Sequence, residues 1–523
     1  MEYKQQHHAK VTPRLIIHGG AGNIAASMSP EKYNGYKEAL LTIIAKTNKY
    51  MNTPKPKTSG STSESGKLPS ALDVATFAMV QLENNPLFNS GHGAVFTRDG
   101  INELEASLMV TRGHAKRAVG VTGLKHVKNP ILLAREMLER GEDDLWGKTD
   151  LGWAASDAAR VTMENEKAGQ PEAEEELNIP SAQGHTLIHG PSAEQLARKY
   201  GLELVGPEYF FTQNRWDEHV RALEREKEHK QKQGTAAAAA SDASQPAVSA
   251  TWSPDEYLPQ GTCGAVAMDE TGTICVATST GGMTNKLTGR IGDTPSVGAG
   301  FWAEEWEDSY NPDDDASAYA SSAPTPATAL LPSSPADWSL NTLRQALSRP
   351  SGITELSSSL RGVLADCLPG IAAGPSSSQR YSPIPLLRAD SKHRLAPTTG
   401  PAIRATALSG TGNGDSFLRI NAVRTVASIA RWGKLPTRLA LAQVAAPGGE
   451  LQRSAQDRWG KTGEGEGGMI GIECVIVGRV VKSEIVHDHN STGMFRAWID
   501  DEGKGNFQIW RDKGPDTLDL DHW

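Results

Sequence analysis

The chain has 523 residues and a formal net charge of −9, and it contains 30 prolines and 52 glycines. Its length allows two or three domains, but the prolines and glycines indicate that a sizeable part of the chain lies outside any hydrophobic core. The acidic balance disfavours a general nucleic-acid-binding protein, and four scattered cysteines are too few for a disulfide framework or for a zinc site with closely spaced ligand pairs.

The N-terminal half of the sequence alternates strand and helix patterns. Its first residues lack the apolar core of a signal peptide, and no later stretch approaches a membrane span, so we expect a soluble cytoplasmic protein without a membrane partner. Residues 53–65, rich in lysine, proline, serine and threonine, predict a surface insertion. The predicted elements of this half are a buried strand at 14–22 and helices near 36–50, at 71–82, from 129 onward and from 192 to 201.

The C-terminal half contains two low-complexity stretches between regular elements. Alternating charges over 218–233 predict a solvated helix, and the alanine- and serine-rich run after it predicts a flexible linker over about 233–260. Residues 308–401 predict one large, mostly disordered insertion. The predicted elements are strands at 263–269, 273–279 and 403–409, a helix at about 415–432 and a final strand pair within 469–486. Strands with little polar alternation need helices on both sheet faces, which predicts an α/β fold.

Two threonines, Thr262 and Thr280, bracket a predicted β-hairpin. A hairpin folded about residues 270–272 sets them nearly opposite each other, roughly 5 Å apart. A threonine hydroxyl is a poor nucleophile unless a base takes its proton, and an α-amino group freed by cleavage after Gly261 can be that base because it titrates near ~8. On its own, a Gly-Thr pair is more often simply the start of a strand.

Five blocks of sequence together resemble a known family. They are His18–Gly22, Asn89–Thr97, Thr278–Lys286, Gly289–Pro295 and Ser409–Asp415. In this order they resemble the plant-type asparaginase and isoaspartyl peptidase family of N-terminal nucleophile hydrolases. The resemblance implies one four-layer αββα domain of the α/β class, made as a precursor that cuts itself between Gly261 and Thr262 into residues 1–261 and 262–523.

The resemblance also implies roles for individual residues. Thr262 would be the nucleophile, Thr280 the hydroxyl that hydrogen-bonds and tunes it, and Thr411 with the Gly412 amide the donors to an oxyanion. By its own chemistry, an arginine can hold a carboxylate in two parallel hydrogen bonds and an aspartate can bind an ammonium, although such a pair read alone is usually a surface ion pair. The predicted substrate-binding residues are Arg290, Ile291, Gly292, Asp293, Thr411, Gly412, Asn413, Gly414 and Asn89.

Partners follow from the same resemblance. Backbone carbonyls of the loop from Leu82 to Gly91 would wrap a structural Na⁺ or K⁺ that fixes the position of Asn89 and takes no part in the chemistry. No other cofactor is expected, and two processed protomers would form a homodimer. His487 and His489 lie on alternate positions of a strand without a complete ligand set, so we interpret them as surface histidines.

The predicted activity is hydrolysis of L-asparagine to L-aspartate and ammonia, or cleavage of β-aspartyl dipeptides, through a threonine acyl-enzyme. Two alternatives stay open: a threonine aspartase or glycosylasparaginase acting on a larger substrate, and an unprocessed scaffold that retains the fold. Val110-Thr111 stands where the family commonly has Asp-Gly. We expect this loop near the active site, so the preference between asparagine and isoaspartyl peptides also stays open.

Overall fold

The first two helices begin where the sequence supplies cap residues. A computed structural model describes residues 11–55, 66–112, 118–145, 182–237, 261–308 and 402–520. In it the side chain of Ser29 caps helix α1 (Pro30–Met51), which has proline in its first turn. Ser70 and Asp73 form a capping box at the start of α2 (Ala71–Glu83). Both helices were predicted, and both are confirmed.

The remaining helices and the strands complete a mixed α/β structure, as predicted. The helices are α3 (Pro130–Leu145), α4 (Gly190–Lys199), α5 (Gln213–Ala237), α6 (Gly414–Ile420), α7 (Ala422–Trp432), α8 (Thr437–Ala445) and α9 (Glu450–Ser454). The strands are β1 (Arg14–Gly22), β2 (Leu104–Val110), β3 (Ala118–Leu124), β4 (Leu187–His189), β5 (Cys263–Met268), β6 (Ile274–Thr280), β7 (Phe301–Asp308), β8 (Ala402–Gly412), β9 (Gly467–Val477), β10 (Val480–His489), β11 (Gly493–Ile499), β12 (Gly505–Gln508) and β13 (Asp516–Leu518).

Two sheets carry the strands. The larger has the order β13-β12-β11-β1-β5-β6-β2-β3-β4, and the smaller has the order β10-β9-β8-β7. All of these neighbours pair antiparallel except β3 and β4, which pair parallel. Strands from before and after residue 261 are therefore interleaved within the larger sheet, because β1 lies between β11 and β5, and β6 lies next to β2.

Three clusters of buried apolar residues hold the elements together. The first joins the larger sheet to α1, α2 and α3, and the second combines residues of both sheets. The third joins β8, β9 and β10 to α6, α7 and α8. Burial on both faces explains why β5 and β6 lack polar alternation. Among the described residues, no helix is long and apolar enough to cross a bilayer.

The hairpin register agrees with the prediction from sequence. Cys263 pairs with Ser279, and the ladder continues to Met268 opposite Ile274. Gly272 closes the turn with a φ of 79°, in the left-handed region that glycine adopts most readily. One further step along the same ladder sets residue 262 opposite residue 280.

Three predicted elements differ from the structure. The single helix predicted over 415–432 is wrong, because Asn421 adopts a left-handed conformation with a φ of 49° and separates α6 from α7. The pair within 469–486 is not the final one, since β11, β12 and β13 follow it and extend the larger sheet beyond β1. The strand predicted at 403–409 continues to Gly412 as β8.

The predicted low-complexity segments fall mainly on residues that the structure does not describe. Residues 56–65 of the first insertion, residues 238–260 of the linker and residues 309–401 of the large insertion lie outside the described residues. Helix α5 extends to Ala237, beyond the predicted start of the linker. Asp308, predicted as the start of the large insertion, still belongs to β7.

We predict opposite effects for two glycine-to-alanine substitutions. Gly272→Ala should lower the free energy of unfolding by roughly 1 kcal/mol, because a Cβ there meets only ordinary contacts and the cost is the left-handed backbone. Gly35→Ala, within α1 and with open space around it, should raise it by about 0.5–1 kcal/mol. Urea unfolding measures both, and a change of the same sign in the two variants would contradict this account.

Candidate active site

Thr262 lies directly before β5, between the ends of β1 and β6. It is 4% exposed, and its Oγ1 lies 2.6 Å from the Oγ1 of Thr294. Thr294 is itself fully buried. The Thr262 hydroxyl is therefore held inside the protein by a second hydroxyl that the sequence analysis did not single out.

Gly261 packs directly against the glycine-rich turn at the end of β1. A Cβ on Gly261 would lie 2.4 Å from the Cα of Gly20 and 2.5 Å from the nitrogen of Ala21. Both neighbours are backbone atoms, which cannot move aside as a flexible side chain could. The close approach therefore requires glycine immediately before Thr262.

The same turn contacts the end of β8, where the predicted oxyanion donors lie. The amide of Ala21 donates to Oγ1 of the fully buried Thr411 at 3.1 Å. Because the oxygen already accepts this bond, the hydroxyl proton of Thr411 is left to donate elsewhere. Gly412 has a φ of 139°, and a Cβ there would lie 2.4 Å from the Cα of Gly467. The structure thus brings Gly261 and Thr411 to one turn, with Ala21 between them.

Thr280 and Asn89 form a second polar group at the end of β6. The Thr280 Oγ1 accepts from the Gly282 amide at 3.0 Å and lies 3.5 Å from the Asn89 Nδ2. Asn89 also donates to the Gly282 carbonyl at 2.7 Å and accepts from the Val95 amide at 3.0 Å. In this geometry Thr262 bonds to Thr294 instead, so the hydrogen bond expected between Thr280 and Thr262 stays a prediction.

Arg290 and Asp293 are close together, as the sequence predicts for a pair that binds opposite charges. The Arg290 Nη2 donates to the Asp415 Oδ1 at 2.8 Å. Asp293 is 5% exposed, and its Oδ2 is buried without a hydrogen-bond partner. Burial raises the pKa of the Asp293 carboxyl to about 7, against the opposing charge of Arg290. A Cβ on Gly414 would lie 2.3 Å from Asp293 Oδ1 and 3.1 Å from Arg290 Nη2, so the three residues converge.

The other predicted binding residues have different surroundings. Ile291 is 41% exposed. The Gly292 amide donates to Glu105 Oε1 at 3.2 Å, which ties this loop to β2. The Asn413 side chain accepts from the Ser416 amide at 3.1 Å and caps α6. The Asn413 side chain is therefore already used as a helix cap. On the same helix, Asp415 contacts Arg290.

A buried pair of one histidine and one serine lies beside Thr262, and the sequence did not predict their contact. The His18 Nε2 lies 2.6 Å from the Ser409 Oγ, and both residues are fully buried. Burial lowers the pKa of His18 to about 3, so the ring is neutral. A Cβ on Gly264 would lie 2.2 Å from atoms of both side chains, which explains a glycine there. His18 and Ser409 open two of the five sequence blocks, but nothing in the sequence indicates that they meet.

Two expectations are corrected by the structure. Val110 pairs with Cys275, and Thr111 bonds to the backbone of Ile274, whereas Glu105 at the other end of β2 pairs with Thr280. Val110-Thr111 therefore lies at the far end of the strand from the site. His489 is 1% exposed and hydrogen-bonds the Ser491 carbonyl, so it is not a surface histidine.

In the loop predicted to hold a monovalent cation, backbone carbonyl oxygens lie close to Gly91 and Gly93. A Cβ on Gly91 would lie 2.3 Å from the carbonyl oxygen of Glu83, and one on Gly93 would lie 2.2 Å and 2.5 Å from those of Phe88 and Pro86. These carbonyls pack against a turn that admits no side chain, and carbonyl oxygen is a ligand type that a hard cation prefers. Among the described residues, no group of three or more His, Cys, Asp or Glu could hold a metal ion.

Comparisons with known proteins agree with this geometry. A family model described as asparaginase matches residues 11–151 and 179–307. An isoaspartyl peptidase of Salmonella typhimurium is 36% identical over 291 residues, which are 55% of this chain and 69% of that protein. A probable isoaspartyl peptidase/L-asparaginase of Arabidopsis thaliana is 30% identical over 56% of this chain and 72% of its own length. A plant-type L-asparaginase of Pyrococcus furiosus is 31% identical over 56% of this chain and 70% of its own length.

We predict a pH-dependent stability difference between the wild type and Asp293→Asn. The Asp293 carboxyl ionises near ~3.9 in the unfolded chain and at about 7 in the folded protein. The folded state therefore binds more protons between these values, and the wild type loses stability relative to the variant as pH rises towards 7. Each pH unit between the two pKa values lowers the free energy of unfolding of the wild type, relative to the variant, by at most about 1.4 kcal/mol.

Urea unfolding at pH 5, 6, 7 and 8 measures this difference. A constant difference between the wild type and Asp293→Asn across this range would rule out the raised pKa.

Proposed function

The chain belongs to the asparaginase family, and on that premise we propose that it hydrolyses L-asparagine, β-aspartyl dipeptides, or both, after cutting itself between Gly261 and Thr262. One observation carries the proposal. Thr294 hydrogen-bonds Thr262 Oγ1, and its neighbour in sequence, Asp293, presents a buried carboxylate oxygen without a partner beside Arg290. A group that binds ammonium, a group that binds carboxylate and a candidate nucleophile thus meet at one loop.

The finer description of the fold belongs to this proposal. Three apolar clusters, one between the sheets and one on the outer face of each, support a four-layer αββα arrangement. The portions on either side of the cut would form a single domain. The segments at 53–65 and 309–401 would be insertions into it.

Self-cleavage would proceed as an acyl shift. The Thr262 Oγ1 attacks the Gly261 carbonyl carbon, the C–N peptide bond breaks, and the hydroxyl proton goes to the leaving nitrogen, which becomes the new α-amine. Water then hydrolyses the resulting ester, which leaves the Gly261 carboxylate and regenerates the threonine hydroxyl. The tight packing of Gly261 against Gly20 and Ala21 supports this step, because it fixes the carbonyl relative to the hydroxyl.

Turnover would use the same hydroxyl with the amine that cleavage creates. Arg290 holds the substrate α-carboxylate and Asp293 holds its ammonium, which leaves the side-chain carbonyl facing Thr262. The Thr262 amine takes the hydroxyl proton as an O–C bond forms, and passes it to the leaving ammonia or peptide amine. Thr411 and the Gly412 amide stabilise the oxyanion. Water then attacks the ester, and aspartate leaves.

The two fragments would stay together after cleavage. In the larger sheet, β1 lies between β11 and β5, and β6 pairs with β2. Separation would break three antiparallel ladders between the fragments. Association of two processed protomers into a homodimer and a cytoplasmic location are part of the proposal. The proposal also includes a Na⁺ or K⁺ that the carbonyls of Glu83, Pro86 and Phe88 would hold. This ion would fix the loop that carries Asn89.

The first test is intact mass of purified wild type and Thr262→Ala. We expect the wild type to appear as two fragments divided between Gly261 and Thr262, which elute together in size exclusion and separate in denaturant. Thr262→Ala should remain one chain without activity. An active wild type that remains one uncut chain would overturn the proposal. Side-by-side turnover of L-asparagine, a β-aspartyl dipeptide and a glycosylated asparagine ranks the substrates.

We further predict that Arg290→Lys raises KM. Lysine keeps the charge but loses the planar pair of donors, so substrate binding should weaken by roughly 1.5–3 kcal/mol, or about tenfold to a hundredfold in KM. The matched control is Arg419→Lys, which changes an exposed arginine on α6 that pairs with Glu464. Steady-state kinetics on L-asparagine separate KM from kcat. An unchanged KM in Arg290→Lys would remove Arg290 from the binding site.

A further inference from the structure

We propose that Thr294 is the positioning residue that orients the Thr262 hydroxyl for self-cleavage, and that it matters more for this step than for turnover. The inference rests on the proposed function of Thr262. It concerns a residue that the sequence analysis gave no role, although it lies within the block from Gly289 to Pro295.

Thr294 is the hydroxyl that reaches Thr262 in the uncut chain. The two Oγ1 atoms lie 2.6 Å apart, and both residues are buried. The hydrogen bonds seen for the other two threonine hydroxyls of the site go to backbone amides, since Thr280 accepts from the Gly282 amide and Thr411 accepts from the Ala21 amide. The orientation of the Thr262 hydroxyl is therefore fixed by its bond to Thr294.

Thr294 can perform this task because side-chain hydroxyls of the larger sheet contact its backbone carbonyl and hold it in place. Its carbonyl oxygen accepts from the Ser107 Oγ at 2.5 Å and lies 3.5 Å from the Thr278 Oγ1. Ser107 and Thr278 lie 2.6 Å apart across the pairing of β2 with β6. These strands belong to the same sheet as β5, so the distance between Thr294 and Thr262 is set by the sheet.

The chemistry explains why the hydroxyl matters most before cleavage. In the uncut chain the nitrogen of Thr262 is a peptide nitrogen, which is not a base. Attack on Gly261 needs an oxygen lone pair directed at the carbonyl carbon. If Thr262 donates its proton to Thr294, both lone pairs of its oxygen are left free for the attack. After cleavage the new amine lies on Thr262 itself and takes over the orientation of the hydroxyl, so the contribution of Thr294 becomes smaller.

The test uses Thr294→Val, which keeps the shape but removes the hydroxyl, and Thr294→Ser, which keeps the hydroxyl. Each full chain is made by cell-free synthesis, and the appearance of the two fragments is followed by intact mass. We expect Thr294→Val to cleave about tenfold more slowly, which corresponds to about 1.4 kcal/mol, and Thr294→Ser to cleave within about threefold of the wild type. In fully cleaved enzyme we expect kcat of Thr294→Val to fall by a smaller factor than its cleavage rate does, because the new amine also orients the Thr262 hydroxyl.

Thr406→Val is the matched control, because Thr406 is a fully buried threonine in the middle of β8 whose hydroxyl bonds to the Ile472 carbonyl. It should cleave at the wild-type rate. If Thr294→Val does not fold, as judged by circular dichroism, Thr294→Ala takes its place with the same expectation.

Three results would overturn the inference. The first is a folded Val or Ala variant that cleaves at least as fast as the wild type. The second is a Ser variant that cleaves as slowly as the Val variant. The third is a Val variant whose KM is raised while its cleavage rate is unchanged. The last would assign Thr294 to the support of Asp293 instead. A wild type that stays uncut is a separate outcome, because it rejects the proposed self-cleavage whatever the variants do.

Discussion

Strand β5 lies between β1 and β6, and these two antiparallel ladders fix where the hydroxyl of Thr262 can be. The ladder with β1 brings Gly264 opposite His18 and carries the chain towards the turn at Gly20. The ladder with β6 brings the start of β5 beside Thr280. Because side chains alternate along a strand, a slip of one residue would turn Thr262 to the opposite face of the sheet. The rest of the site depends on this register.

Asp293, the neighbour of Thr294 in sequence, is buried, and burial gives its carboxyl its chemical character. The Asp293 carboxyl has a raised pKa and one oxygen without a partner, because the loop removes it from water without supplying a donor. Such a group gains from an ammonium that enters the site, since the cation replaces the missing partner. Arg290 instead pairs with Asp415, and in the proposed binding mode a substrate carboxylate would displace this exposed side chain at low cost.

The sequence predicts local features of the site well and long-range contacts poorly. The spacing of Thr262 and Thr280 about a glycine turn determines the hairpin register, because both threonines belong to one local element. The contact of Thr262 with Thr294 joins residues whose side chains meet only after β2, β5 and β6 have paired, so no spacing reveals it. The break at Asn421 was missed for a related reason: asparagine tolerates the left-handed conformation, but only packing selects it.

The large excursion of the chain after β7 is compatible with this site because of where it leaves and returns. Asp308 at the end of β7 pairs with Ala402 at the start of β8, so the chain leaves and re-enters the smaller sheet at adjacent positions. At the other end of β8, Thr411 contacts the turn beside Gly261. Ala402 and Thr411 therefore lie towards opposite ends of β8.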